Sequence, residues 1–158
     1  MFGKKKRRKS PEVSLRTGNR LLEIINESIY IINTSSNYST IISRCDLVVD
    51  YSYKLLKMHE NREIKIKRKD KKEFKKTIYE MHTIREEAFE NLINEIVEKA
   101  ENRINKLKSK DPKIKAIKSY IEKLKKYETL IKTRSNKKIY KNALYKLKAL
   151  KKEFKKSR

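Results

Sequence analysis

Apart from lysine, few side chains in this sequence are placed to do chemistry. His59 and His82 stand 23 residues apart, and neither has a second histidine, a cysteine or a carboxylate beside it in a recognisable zinc-ligand motif. Asp46 and Asp50 are four apart, a spacing that puts two carboxylates on one helical face, where they share a proton or hold a cation. The same spacing is common on solvated faces, and nothing nearby reads as a base or a nucleophile. Cys45 is the single cysteine and lies two heptads from His59, out of range for a thiolate–imidazole pair on one helix. Glycine occurs only at positions 3 and 18, so no glycine loop cradles a phosphate. No catalytic constellation, metal site or cofactor site assembles, and the expectation is a protein that is not an enzyme.

Lysine is different. The chain carries 44 Lys and Arg against 20 Asp and Glu, a formal charge of +24, and the charge is segregated. Residues 4–9 carry +6, 10–60 carry −1, 61–76 carry +6, 77–101 carry −5 and 102–158 carry +18. A dense cationic surface binds polyanions by releasing their condensed counterions, without reading any base. The expected nucleic-acid contacts are Lys4, Lys5, Lys6, Arg7, Arg8 and Lys9 in the tail, and Lys65, Lys67, Arg68, Lys69 and Lys72 in the middle. In the C-terminal part they are Lys115, Lys118, Lys125, Lys126, Lys137, Lys138, Lys141, Lys148 and Lys152, with Tyr120, Tyr127, Tyr140 and Tyr145 interleaved. No helix-turn-helix, zinc-finger or basic-zipper pattern is present, so binding without sequence preference is expected. Competing readings are a solvated lysine face from an AT-rich coding sequence, an anionic membrane surface reached through basic amphipathic helices and Phe2, and, for residues 4–9 alone, a solubilising tail or an import signal.

The elements that position these residues are helical. With two Gly and two Pro in 158 residues, and none between Asn19 and Asp111, strands would lack the turns they need. The expected fold is all-α: antiparallel helical hairpins with a long central helix, arranged as a bundle or an elongated coiled-coil-like rod. The apolar core is read in Asn19 to Met58, where Leu21, Ile25, Ser28 and Ile32 share one face, widened by Leu22 and Ile29. After a polar break at 33–39 a second stripe follows through Ile42, Cys45, Val49, Ser52 and Leu56. Asn37 or Ser39 is expected to cap the second helix. Ser10 and Pro11 read as the cap and first residue of the first helix, with Thr17 or Asn19 after Gly18 as the alternative start.

The stripe fails from His59 to Lys72, because Ile64 and Ile66 are two apart and cannot share a helical face. It returns from Phe74 through Leu107, accompanied by acidic residues at 80, 86, 87, 90, 95, 98 and 101 that offer partners to the basic segments of the same chain or of a neighbour. Asp111 and Pro112 are expected to cap and open a new helix, with a stripe at Ile114, Ile117, Ile121 and Leu124. Ser135 is expected to cap the last helix, with Ile139, Ala143, Leu147, Leu150 and Phe154 as its stripe. The organisation expected is a basic tail at 1–10, a hairpin at 11–60, a central helix at 61–110 and a basic hairpin at 111–158. No apolar run is long enough to span a membrane and no secretory signal is read. The lone cysteine favours a reducing compartment, so the expected location is cytoplasmic.

The segment Glu23 to Ser35, containing Glu27-Ser28-Ile29-Tyr30-Ile31-Ile32-Asn33-Thr34, with Ser43-Arg44-Cys45-Asp46 after it, resembles the opening of small helical proteins of unknown function from low-GC Gram-positive bacteria and their phages. The resemblance covers residues 20–56, and Cys45 stands where the pattern has an aromatic. It implies a helical, cytoplasmic protein of bacterial or phage origin and no particular activity. The functional expectation is therefore sequence-nonspecific nucleic-acid binding, with a protein-interaction or homo-oligomerising module as the alternative.

Overall fold

The computed structural model describes residues 11–156. Among them the chain is all-α, with five α-helices, the third of them long and central, one 3₁₀ turn and no strand. The contact pattern divides the chain into two units, Met1–Arg85 and Glu86–Arg158.

In the first unit, α1 (Pro11–Thr34) begins on a proline whose missing N–H costs nothing in the first turn, with Glu12 set against the positive helix end. The expected capping role of Ser10 lies outside the described residues. The helix runs straight through Gly18, so the later start at Thr17 or Asn19 does not occur. Its buried line is Ser14, Gly18, Ile25, Ser28 and Ile32. Leu22, read as widening that face, is 40% exposed and lines an open groove.

The polar break is shorter than expected. Helix α1 continues to Thr34, whose hydroxyl donates to the Tyr30 carbonyl at 2.9 Å, and α2 (Tyr38–Glu60) starts only three residues later. Asn37 is the cap: its Oδ1 accepts the Thr40 N–H at 3.1 Å. Helix α2 then buries Ile42, Cys45, Val48, Ser52, Leu55, Leu56 and Met58. Of these, Cys45, Val48, Leu55 and Met58 join Ile25, Ile32 and Met81 in one apolar cluster, with Ile64, Ile66 and Phe74 packed on its edge. Each large apolar side chain taken fully out of water contributes about 1.5–3 kcal/mol before entropy is counted.

The failed stripe after His59 is a non-helical connector. Arg62 takes the left-handed region at φ 58, its N–H bonds the His59 carbonyl, and the Glu63 N–H bonds the Met58 carbonyl at 2.9 Å, the pairing that closes a helix C-terminus. His59 Nδ1 accepts the Ile66 N–H at 3.0 Å. Ile64 and Ile66 thus reach the core from the connector, which a helix could not have allowed at their spacing.

Helix α3 (Arg68–Lys106) is continuous over 39 residues, about 58 Å at 1.5 Å per residue. Its first part supplies Ile78 and Met81 to the first unit's buried set. In the second unit it contributes Ala88, Phe89, Leu92, Ile93, Ile96, Val97, Ala100 and Ile104 to the buried set. Helix α4 (Lys110–Lys126) is preceded by Ser109 as its N-cap residue. Asp111 is therefore a first-turn anion rather than the cap, and Pro112 is the third helical residue, still where no intrahelical N–H is required. After a 3₁₀ turn at Glu128–Leu130, α5 (Arg134–Lys156) completes the unit. Its cap is Thr133 and not Ser135: Thr133 Oγ1 accepts the Asn136 N–H at 3.1 Å. Ser135 falls inside the helix because the chain leaves the 3₁₀ turn two residues earlier than its polar break suggested.

Candidate nucleic-acid interface

Helices α4 and α5 lie against each other in antiparallel register. Lys110 Nζ donates to the Lys155 carbonyl at 3.2 Å, and Lys113 Nζ sits 5.1 Å from the centre of the Phe154 ring. Ile117, Ile121 and Leu124 of α4 and Tyr140, Ala143 and Leu147 of α5 are buried. At α5 Asn136 is also buried, and among the described residues its side-chain amide finds no hydrogen-bond partner.

Outside this seam the lysines gather. Lys118 and Lys125 are seven apart on α4 and share one face. Lys148, Lys151 and Lys155 form a 3,4-spaced row on α5. The lysine charge of Lys151 is held below its ordinary pKa of 10.5, first by partial burial and then by repulsion from Lys155, Lys118, Lys125 and Lys148. Four ammonium groups, two from α4 and two from α5, therefore act on Lys151. A bound anion relieves that repulsion. Lys118, Lys125 and Lys148 were expected contacts; Lys151 and Lys155 were not among them. Their 3,4 spacing after Lys148 is the signal that would have found them.

The remaining expected contacts among the described residues are all exposed. Lys115 and Lys126 flank the α4 row, and Lys137, Lys138, Lys141 and Lys152 continue along α5. A shallow groove of about 550 Å³ at the start of α5 is lined by Lys132, Arg134, Lys137 and Lys141, with Glu128 and Tyr140. Lys65 and Lys67 lie on the connector and Arg68, Lys69 and Lys72 in the first turns of α3, as a patch of the first unit. Lys4, Lys5, Lys6, Arg7, Arg8 and Lys9 lie outside the described residues.

The interleaved tyrosines differ from one another. Tyr140 is 4% exposed, and its hydroxyl pKa is raised by burial and secondarily by Glu128. Tyr120 is half-buried under the Lys123 ammonium, 4.8 Å from its ring centre, and Tyr127 is half-buried as well. Tyr145 alone of the four is open, at 76% exposure.

Acidic residues of α3 take up part of the charge. Lys146 Nζ is 2.6 Å from Glu101 Oε1, and the Thr133 hydroxyl donates to Glu86 Oε1 at 3.3 Å. Glu95 and Glu80 pair within the helix, with Lys99 and Lys76.

The first unit carries a groove of about 410 Å³ whose walls include Leu15, Leu22 and Ile29 of α1 and Phe74 of α3. Of the two carboxylates read on one face of α2, Asp46 is engaged by Arg85, whose Nε donates to its Oδ1 at 2.6 Å. Cys45 is fully buried. Among the described residues no group of three or more His, Cys, Asp or Glu gathers as a metal site, and no helix is long and apolar enough to cross a membrane. No family model, curated protein or solved structure matches the chain.

Proposed function

We propose that this chain is a non-catalytic, sequence-nonspecific nucleic-acid binder that holds the phosphate backbone on the lysine face of α4 and α5. The observation that carries the reading is the convergence of Lys118, Lys125, Lys148, Lys151 and Lys155 from two helices, with like charges acting on Lys151. Phosphates neutralise such a cluster and displace condensed counterions, whose release supplies the affinity. Lysines present point charges rather than the bidentate forks that read guanine, so affinity without base preference follows. The buried free thiol of Cys45 fits a reducing compartment such as the cytoplasm.

The test is titration of labelled oligonucleotides by fluorescence anisotropy, with wild type against a variant in which Lys118, Lys148, Lys151 and Lys155 are all changed to Gln. Lys118, Lys148 and Lys155 are exposed and Lys151 is half-buried, and glutamine is a good helix former, so the helices are expected to persist by circular dichroism. The reading expects wild type to bind unrelated sequences alike and the variant to lose most of its affinity. Equal binding by the two proteins contradicts it.

A second reading, self-assembly, is favoured by the groove of the first unit. Leu15, Leu22 and Ile29 recur every seven residues along α1 and all line that groove, the seam spacing with which two copies of one helix pair. Sedimentation velocity separates the readings: a dimer disrupted by Leu22→Glu supports assembly through α1, and a monomer at micromolar concentration removes it.

A further inference from the structure

We propose that Tyr145 is a base-stacking platform, so that the α5 face prefers single-stranded to duplex nucleic acid; this rests on the nucleic-acid reading above and narrows it. Tyr145 is 76% exposed and its helical neighbours one turn away are Lys141 and Lys148, at about 5–6 Å between Cβ atoms. Two turns away, about 10.5 Å along the axis, come Lys138 and Lys152. All four of these lysines are exposed, and the remaining neighbours at three and four residues are Asn142 and Ala149. An open aromatic ring thus stands at the centre of the solvent face of α5, ringed by cations and directly opposite the buried line of Asn136, Tyr140, Ala143 and Leu147.

Exposed tyrosines elsewhere in the protein show that this surround is not what a tyrosine gets by default. Tyr30 and Tyr53 are 68% and 54% exposed. Tyr30 has Glu23, Asn26, Glu27 and Asn33 at the same helical spacings, and Tyr53 has Asp46, Asp50 and Glu60 with only Lys57 among cations. Tyr79, 74% exposed, has Lys72, Lys75 and Lys76 on one side and His82, Thr83 and Glu86 on the other. Of these four tyrosines, only Tyr145 has lysines at such spacings both before and after it and no acidic residue among them.

Lysines alone hold duplex and single strand alike, because both present phosphates. A ring placed among them adds a term that depends on the strand: an unpaired base offers its face to the ring, whereas a paired base is already stacked and must be extruded at a cost to reach it. Stacking is tolerant of sequence, since every base has such a face, and so it preserves the lack of base preference.

The experiment compares the full chain with Tyr145→Ala, Tyr145→Phe and Tyr30→Ala, titrating a labelled oligothymidine and a labelled duplex of the same length at low salt. Tyr145→Ala is expected to weaken binding of the single strand about tenfold, and binding of the duplex less than about twofold. Tyr145→Phe keeps the ring and is expected to stay near wild type, as is Tyr30→Ala. If Tyr145→Ala binds the single strand as Tyr30→Ala does while wild type still binds both nucleic acids, the stacking platform is overturned and the polyanion reading stands. If wild type binds neither nucleic acid, both are overturned.

Discussion

The guanidinium Nε of Arg85 donates to Oδ1 of Asp46 across 2.6 Å, and the Arg85 side chain is 5% exposed against 28% for its partner. The pair ties the middle of α2 to α3, within the unit that holds the apolar cluster. Removing one partner leaves a charge in a place it cannot be hydrated. Asp46→Ala is expected to cost about 3 kcal/mol, the low end for broken buried pairs given the exposure of Asp46. Replacing both, as Asp46→Leu with Arg85→Met, should recover more than half of that loss. Urea denaturation of the three proteins checks both statements.

Gly18 lies inside α1 and gains nothing from lacking a side chain. A Cβ there would meet Ile64 Cγ2 at 3.6 Å and Leu55 Cδ2 at 3.7 Å, ordinary contacts that bury a methyl group. Glycine in a helix interior costs about 0.8–1 kcal/mol relative to alanine. Gly18→Ala is therefore expected to stabilise the protein by about 1 kcal/mol, seen as a higher thermal midpoint at unchanged helical content.

Burial pushes the Cys45 thiol from its ordinary 9.0 up to about 11, with Asp46 adding to the shift and Arg85 opposing it. Near pH 8 the folded chain then holds about 100-fold less thiolate at this position than the unfolded chain. Alkylation by iodoacetamide is expected to be slow in the folded protein and fast in urea. The linkage has a definite sign: the folded state keeps the proton longer, so stability from this group is lost as pH rises from 9.0 towards 11. Denaturation of wild type and Cys45→Ala across that range should show wild type falling relative to the variant.

Much of the fold was legible in the apolar spacing. The lines through Ile25, Ser28 and Ile32 and through Ile42, Cys45 and Ser52 are buried as their helical period requires, and the broken period at Ile64 and Ile66 marked the connector. Features decided by a partner were not legible. Arg85 reads as one more surface cation until Asp46 is placed beside it, and Asn136 reads as polar until its helix is docked on α4. Ser135 reads as the cap of the last helix in sequence, whereas Thr133, two residues earlier, accepts the Asn136 N–H. The candidate interface followed the same division. Charge density pointed to α4 and α5, whereas the inclusion of Lys151 and Lys155, and the difference between buried Tyr140 and open Tyr145, depend on which way each helix faces.

The central claim, that the lysine face of α4 and α5 neutralises phosphates, is tested most directly by the salt dependence of oligonucleotide binding. For six to ten phosphates engaged, the affinity of the full chain should fall about 10³- to 10⁵-fold between 50 and 200 mM salt, as a straight line of log affinity against log salt. The variant lacking Lys118, Lys148, Lys151 and Lys155 should show a shallower slope. A wild-type affinity that does not change with salt would contradict the account.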